Sequence, residues 1–197
     1  MITMNGLTKD EIKEIADRLD NCLGDNFHDL CVNAVGYTEI SDNDVYEIKK
    51  ELGEPNYIVH MAADTHVDNS ISNPVPFVKN NIMSTIHMLE YARTLKTLEI
   101  FFYFSTDEVY GPALGNKLFQ EDERHNPTNP YSASKAAAEL VINTYKYSYN
   151  LPIIIIRCNN VYGLNQYPEK VIPNFILNAL NNKDLNIHHS PTIYSYP

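Results

Sequence analysis

The 197-residue chain is 44% hydrophobic, which is enough for one domain with a core but too short for two full domains. Its formal net charge of −10 argues against a nucleic-acid or anionic-membrane surface, where clustered Lys and Arg are expected. Three scattered cysteines without a Cys-x-x-Cys pair indicate neither a disulfide framework nor a zinc site. Because no signal-type segment is visible at the N-terminus, we expect a cytoplasmic protein.

The first predicted elements precede residue 57. A capping box at Thr8 and Glu11 predicts a helix that ends at Gly24. Leu30–Val35 is a plausible short strand. A second helix is expected to end before Gly53, where its apolar periodicity stops.

From residue 57 onward, short apolar runs alternate with helical patterns. Strands are predicted at Tyr57–Ala63, Leu98–Phe104 and Ile153–Arg157, and helices at about Asn81–Leu95, at Tyr131–Tyr149 and over about eight residues from Asn174. This alternation predicts an α/β fold, a three-layer Rossmann-like parallel sheet covered by helices on both faces. Ligands bind outside the carboxyl ends of such strands, so the loops at 62–70, 105–111 and 158–173 receive the most functional weight.

Tyr131 and Lys135 lie four residues apart at the start of a predicted helix, so they share one face. An ammonium beside a phenol favours the phenolate and lowers its pKa, which makes tyrosine a usable base. The spacing alone is weak evidence, because Tyr46 and Lys50 repeat it on what we interpret as a solvated helix face. The context after a strand-end loop favours Tyr131.

Thr106, Asp107 and Glu108 directly follow a predicted strand, which directs them toward the same crevice. Adjacent acidic residues are most often a solvated turn. Two carboxyls in one crevice can instead divide the work of acid and base, as elimination of water requires. Both interpretations remain open on the residues alone.

Five blocks of sequence occur in an order typical of one family. They are His60–Asp68, Ser105–Gly111, Pro130–Lys135, Arg157–Gly163 and Tyr167–Pro173. Together they resemble the dTDP-glucose 4,6-dehydratases and their UDP-sugar relatives within the extended short-chain dehydrogenase/reductase family. The resemblance covers roughly residues 39 to 187. It is specific, because sugar-nucleotide epimerases of the same superfamily lack the Asp-Glu pair.

The resemblance implies catalytic roles for five residues. Tyr131, helped by Thr106, would remove the proton from the sugar's 4-hydroxyl as hydride leaves C4 for NAD+. Lys135 would bind the nicotinamide ribose and hold the tyrosine's pKa down. Glu108 would take the C5 proton and Asp107 would protonate the departing 6-hydroxyl. Return of hydride to C6 would give a 4-keto-6-deoxy sugar nucleotide.

The resemblance also implies binding roles. The cofactor-binding set is Glu39, Ile40, Ala62, Ala63, Tyr131 and Lys135. The substrate-binding set, for a sugar nucleotide of the dTDP- or UDP-glucose class, is Thr65, Thr106, Asn160, Glu169 and Lys170. A homodimer through the helices beginning at Asn81 and Tyr131 is a further implication. No metal is predicted, because His60 and His66 have no third ligand at suitable spacing.

Both ends of the sequence depart from the family pattern. The glycine-rich turn Gly-x-x-Gly-x-x-Gly, which lets a backbone approach a pyrophosphate, does not occur. We therefore expect a chain truncated at both ends, with an atypical segment at 1–38, a Rossmann-like catalytic domain at 39–188 and an irregular tail at 189–197. Two functions follow. The chain is either an NAD-dependent sugar-nucleotide 4,6-dehydratase or a non-catalytic remnant or interaction module that has lost cofactor binding.

Overall fold

The computed structural model describes residues 49–50, 52–115, 117–163, 166, 168 and 170–185. The helix predicted at 8–24, the strand at 30–35 and the tail at 189–197 lie outside these residues, as do Glu39, Ile40, Tyr46 and Glu169. The chain divides into two compact units, residues 1–159 and 160–197, and each is described by itself.

A parallel sheet forms the centre of the first unit. Its strands are β1 (Tyr57–His60), β2 (Ile100–Thr106) and β3 (Ile153–Cys158), in the order β1-β2-β3. All pairs are parallel, with His60 opposite Tyr103 and Thr106 opposite Cys158. Because the strands run the same way, their carboxyl ends share one edge of the sheet. The predicted parallel, Rossmann-like fold is confirmed.

The helices differ from the prediction mainly at their beginnings. In the first unit they are α1 (Val67–Ser72), α2 (Pro74–Thr94), a 3-10 helix (Asp107–Tyr110) and α3 (Pro130–Tyr149). In the second unit α4 spans Val171–Leu180. Helix α1 was predicted as loop, and α2 begins at Pro74 rather than Asn81, because proline's fixed φ suits the first helical turn.

Three strands also end at other residues than predicted. Strand β1 ends at His60 instead of Ala63, β2 continues to Thr106, into the predicted loop, and β3 ends at Cys158, one residue later than predicted. The earlier helix does end where predicted: Lys49, Lys50 and Leu52 are helical, and Gly53 follows with a φ of 71°. Glycine adopts this positive φ without strain, because it has no Cβ, and this explains why the helix ends at Gly53.

The core lies between the sheet and the helix pair α2 and α3. Its buried members are Ile58, Leu89, Tyr91, Ala92, Phe101, Tyr103, Ala138, Ile142 and Ile153. The buried Tyr91 hydroxyl donates to the Gly53 carbonyl oxygen at 3.1 Å, so this polar atom is satisfied. The packing fixes α3, and with it Tyr131 and Lys135, against β2. Within the described ranges, no helix has the length and apolar character needed to cross a membrane.

Candidate active site

The hydroxyl of Thr106 organises the turn that carries both carboxylates. Thr106 is the last residue of β2 and caps the 3-10 helix, accepting from the Glu108 backbone N–H at 3.3 Å. It donates to Asp107 Oδ1 at 3.3 Å. A hydroxyl donates once and accepts twice, so one lone pair remains for another donor. The same threonine acts on Tyr131, because its hydrogen bonding opposes the rise that burial causes in the pKa of the tyrosine.

Asn129 connects the carboxylate of Glu108 to helix α3. Its Nδ2 donates to Glu108 Oε2 at 3.0 Å. Its Oδ1 accepts from the Ser132 backbone N–H at 2.8 Å, and Ser132 Oγ accepts from the Asn129 N–H at 3.3 Å, which makes a reciprocal capping box. One side chain therefore begins the helix and fixes a carboxylate. Sequence reasoning missed Asn129, although an Asn directly before a proline at a helix start is a recognisable cap signal.

Gly111 closes the carboxylate turn. Its φ is 75°, and a Cβ there would lie 2.3 Å from the Asn126 carbonyl oxygen. The Asn126 N–H donates to the Val109 carbonyl oxygen at 2.8 Å, which holds the two segments at that separation. Both the backbone conformation and the available space therefore require glycine.

Tyr131 is half-buried at the beginning of α3. Its ring meets Phe77 edge-on, with centroids 6.4 Å apart, and its backbone N–H donates to Ser70 Oγ at 3.3 Å. Burial raises the pKa of Tyr131 to about 12, and the negative charge of Glu108 adds to the rise while the Thr106 hydrogen bond opposes it. The expected lowering of this pKa by Lys135 is therefore wrong for the protein alone, because desolvation favours the neutral phenol.

Lys135 lies one turn along α3 and is only 4% exposed. Burial lowers the pKa of Lys135 to about 8, although the charges of Cys158 and Glu139 act in the opposite direction. Its Nζ lies 4.5 Å from the centroid of the Tyr103 ring. Among the residues that the structure describes, none forms a hydrogen bond or ion pair with this ammonium. Its donors therefore remain available for a ligand.

Asn81 fixes the loop that follows β1. Its Oδ1 accepts from the Asp64 N–H at 2.7 Å, and its Nδ2 donates to the Asp64 carbonyl oxygen at 2.9 Å. The same Nδ2 lies 3.0 Å from Ser134 Oγ on α3. The loop containing Ala62, Ala63 and Thr65 is thereby tied to the helix that carries the tyrosine and the lysine. This buried asparagine was predicted only as the start of a helix.

A second polar cluster lies around Arg157 of β3. Its Nε and Nη2 donate to the Glu139 carboxylate, with a shortest distance of 2.6 Å, and its Nη1 donates to the Tyr110 hydroxyl at 2.6 Å and to the Glu121 carbonyl oxygen at 2.8 Å. Nη2 also lies 2.8 Å from His125 Nε2. The cluster joins β3, the carboxylate turn and α3, and sequence reasoning did not anticipate it.

His60 is a structural residue in this site. It is buried, and its Nε2 lies 3.1 Å from Thr85 Oγ1. Burial lowers the pKa of His60 to about 3, and the charge of Lys135 adds to the effect, so the ring stays neutral. In the described part of the chain, no group of three His, Cys, Asp or Glu side chains could hold a metal ion.

The structure thus gathers Thr106, Asp107, Glu108, Tyr131 and Lys135 at the carboxyl edge of the sheet. The predicted substrate residues Asn160 and Lys170 lie in the second unit, the first exposed and the second at the N-cap of α4. Glu39, Ile40 and Glu169 belong to the residues outside the described ranges.

Comparison with known proteins identifies the family that this chain resembles. Residues 3–189 match the model of the GDP-mannose 4,6 dehydratase family. The chain is 42% identical over 188 residues to dTDP-D-glucose 4,6-dehydratase of Dictyostelium discoideum, covering 88% of this chain and 43% of the relative. It is 40% identical over 178 residues to dTDP-D-glucose 4,6-dehydratase of Homo sapiens, covering 88% and 50%.

A solved structure agrees with these relatives. The dTDP-glucose 4,6-dehydratase of Streptomyces venezuelae, with NAD bound, matches with a TM-score of 0.66 and 38% identity over 71% of this chain and 42% of that chain. The chain therefore spans half or less of the length of these proteins. The predicted resemblance to sugar-nucleotide 4,6-dehydratases is confirmed.

Proposed function

Since the chain belongs to the GDP-mannose 4,6-dehydratase family, we propose that it is an NAD-dependent sugar-nucleotide 4,6-dehydratase. The observation that carries the proposal is that the turn after Thr106, at the carboxyl edge of the sheet, holds the carboxylates of Asp107 and Glu108 near Tyr131. Thr106 donates to Asp107 Oδ1, Asn129 donates to Glu108 Oε2, and the charges of both carboxylates act on the pKa of Tyr131. A phenol and two carboxylates are the acid–base groups that oxidation followed by elimination needs. The alternative of a non-catalytic remnant has no comparable observation in its favour.

The described residues fit the nicotinamide end of NAD, whereas the glycine-rich turn that would approach the pyrophosphate does not occur in the sequence. A buried ammonium without an acceptor among the described residues suits a ribose hydroxyl, which we assign to Lys135. The partly buried Ala62 and Ala63 carry small side chains in the loop after β1, and we place them against the cofactor. Glu39 and Ile40 are proposed for the adenine end. When bound, NAD accepts a hydride from C4 of the sugar and returns it to C6.

Tyr131 supplies the base for the first half of the reaction. Because burial raises the pKa of Tyr131 in the protein alone, the phenol can act as a base only when a positive charge favours the phenolate in the occupied site. We assign that role to the Lys135 ammonium, one turn along the same helix. At neutral pH a lysine with a pKa of about 8 is still mostly protonated. Thr106 hydrogen-bonds the phenol and holds it toward the sugar's 4-hydroxyl.

Glu108 and Asp107 supply the elimination. The ketone formed at C4 acidifies the C5 proton, which Glu108 takes, and the 6-hydroxyl leaves with a proton from Asp107 as water. Asn129 orients the base by its hydrogen bond to Glu108 Oε2, and Thr106 orients the acid by its hydrogen bond to Asp107 Oδ1. The two carboxylates are thus held by different partners, as different roles require.

The nucleotide sugar is proposed to be of the dTDP- or UDP-glucose class. Thr65 and Thr106 are assigned to the sugar end, and Asn160, Glu169 and Lys170 to the substrate loop of the second unit. A cytoplasmic location is proposed on the sequence grounds given above. The catalytic domain is proposed to span 39–188.

A homodimer through α2 and α3 is also proposed. Val75, Leu140 and Tyr147 lie on these helices and are 76%, 61% and 85% exposed. Contact with a second copy of the chain would bury these apolar side chains. Sedimentation of the wild type and of a Leu140→Glu variant tests it. A wild-type monomer at high micromolar concentration would refute the dimer.

The proposed function is tested by NAD+ binding followed by turnover. Titration calorimetry of the purified chain should detect NAD+ binding that a Lys135→Met variant weakens. Incubation with dTDP-glucose and UDP-glucose should then give a 4-keto-6-deoxy product from one of them. No binding at millimolar NAD+ would favour the non-catalytic remnant.

A further inference from the structure

We propose that the aromatic face of Tyr103 holds the Lys135 ammonium through a cation–π interaction. Tyr103 is then a positioning residue that keeps this lysine charged and oriented toward the site. The contact stands on the geometry of the chain alone. Its consequence for NAD binding and catalysis rests on the proposed function.

The geometry of the pair is that of a cation over a ring. Lys135 Nζ lies 4.5 Å from the centroid of the Tyr103 ring, inside the roughly 6 Å range of such interactions. Tyr103 is 1% exposed and Lys135 is nearly buried, so water screens the contact little. The attraction between a cation and a ring face grows as both are desolvated.

The ring is held in place from its far end. Burial raises the pKa of the Tyr103 hydroxyl, and hydrogen bonding with Thr85 opposes the rise. Thr85 Oγ1 donates to the Asn81 carbonyl oxygen at 3.0 Å and lies 3.1 Å from His60 Nε2. Since the threonine proton is used on Asn81, the histidine must donate to it. The ring itself is almost completely buried, and its packing presents a fixed face to the lysine.

The surroundings of Lys135 make this face its direct partner. The charged or titratable groups around it are Glu139 on its own helix, Cys158 at the end of β3, His60 at the end of β1, Tyr131 one turn earlier and Tyr103 itself. The Glu139 carboxylate is already engaged by Arg157. His60 is neutral. Within the described ranges, no carboxylate forms an ion pair with the ammonium.

Two possible roles for Tyr103 predict opposite shifts of the Lys135 titration when the ring is removed. If the ring only fills space, replacing it admits water, and the lysine becomes easier to protonate, as in solution. If the ring face stabilises the ammonium, its loss makes the buried lysine harder to protonate. The direction in which the Lys135 titration moves therefore separates a positioning role from a packing role.

The test is a titration of Lys135 by NMR in the full chain labelled with carbon-13 lysine, without NAD or sugar. A Lys135→Arg variant assigns the signal. Tyr103→Phe should leave the midpoint nearly unchanged, and Tyr103→Leu should move it to lower pH by about one pH unit, a tenfold change in proton affinity. Phe102→Leu, which removes a ring from the opposite face of β2, is the matched control and should have no effect.

A second series covers the case in which Tyr103→Leu does not fold. Phenylalanine bearing one, two or three fluorine atoms at position 103 keeps the shape and progressively weakens the negative face of the ring. The Lys135 midpoint should fall step by step along the series. An unchanged or rising midpoint for Tyr103→Leu, or along the fluorine series, overturns the proposal.

The outcome is separable from that of the proposed function. A chain that does not bind NAD+, yet whose lysine titration follows the fluorine series, contradicts the dehydratase and leaves the ring contact standing. A chain that turns over the sugar nucleotide, but whose Lys135 midpoint does not change along the fluorine series, supports the dehydratase and contradicts the ring contact. In an active chain, Tyr103→Leu should also weaken NAD+ binding about tenfold, while Tyr103→Phe should not.

Discussion

Two polar clusters meet helix α3, and they use their hydrogen-bonding groups differently. Around Arg157, the guanidinium, the fully buried Glu139 carboxylate and the Tyr110 hydroxyl satisfy one another. Around Tyr131, by contrast, Asp107 is exposed and the Lys135 ammonium has no acceptor among the described residues. A cluster with donors and acceptors to spare is available for a ligand, whereas a closed cluster holds the fold together.

The largest expected effect is on the open cluster's chemistry. Glu108→Gln removes the group that we propose as the base for the C5 proton but keeps an acceptor for Asn129. We expect elimination to fall by about 10² to 10⁴-fold, while the first oxidation, seen as NADH absorbance, survives. The free energy of unfolding should hardly change. Full turnover by this variant would remove Glu108 from its assigned role.

The closed cluster should respond in stability instead. Arg157→Leu removes the guanidinium from the buried Glu139 carboxylate and leaves only His125 Nε2, at 3.1 Å, beside it, which costs about 3–5 kcal/mol of unfolding free energy. Urea unfolding measures it. The double variant Arg157→Leu with Glu139→Leu should recover much of the loss, because no uncompensated charge remains. A single variant with wild-type stability would contradict the assignment.

Lys135 should lower the free energy of unfolding at the pH values at which its side chain is charged. Its pKa is lower in the folded protein than in the unfolded chain, so the unfolded state binds more protons between about pH 8 and 10.5, and stability rises with pH there. Lys135→Met should therefore stabilise the fold by up to about 3 kcal/mol at pH 7, with a difference that shrinks toward pH 10.5. Urea unfolding of both proteins across this range checks the sign. A destabilised variant at pH 7 would show that the lysine belongs to a closed network.

The smallest effect is expected at Asn129, which caps helix α3 and also donates a hydrogen bond to Glu108. Asn129→Asp keeps the acceptor for the Ser132 N–H, so the cap and the stability should remain within about 0.5 kcal/mol. It replaces the donor to Glu108 with a second carboxylate, so elimination should slow about tenfold. Asn129→Ala is the comparison, since it should lose about 1 kcal/mol as well. Equal activity of Asn129→Asp and wild type would show that Glu108 needs no orienting partner.

The fold was predictable where the signal is local. Apolar runs located the three strands that the structure describes. The context of Tyr131 favoured it over Tyr46, which lies outside the described residues. The beginning of α2 and the whole of α1 were missed. The residues of α1 are largely polar, and α1 depends on a cap from the His66 side chain rather than on a helical apolar pattern. The first turn of α2 contains Pro74 and Pro76, so apolar spacing alone does not indicate a helix there.

The supporting residues were not predictable, because their roles depend on contacts between distant parts of the chain. Arg157 meets Tyr110 across 47 positions, and Asn81 meets Ser134 across 53. The direction of the Tyr131 pKa was missed for the same reason. Spacing reveals the lysine one turn away, but it does not reveal how deeply both side chains are buried.

The central claim is that the open cluster carries out an oxidation, an elimination and a reduction in one site. Incubation of the purified chain with NAD+ and dTDP-glucose or UDP-glucose deuterated at C4, followed by mass spectrometry and NMR of the product, tests it most directly. We predict loss of one water with the deuterium transferred to C6. Unreacted sugar, or a dehydrated product without deuterium at C6, would contradict it.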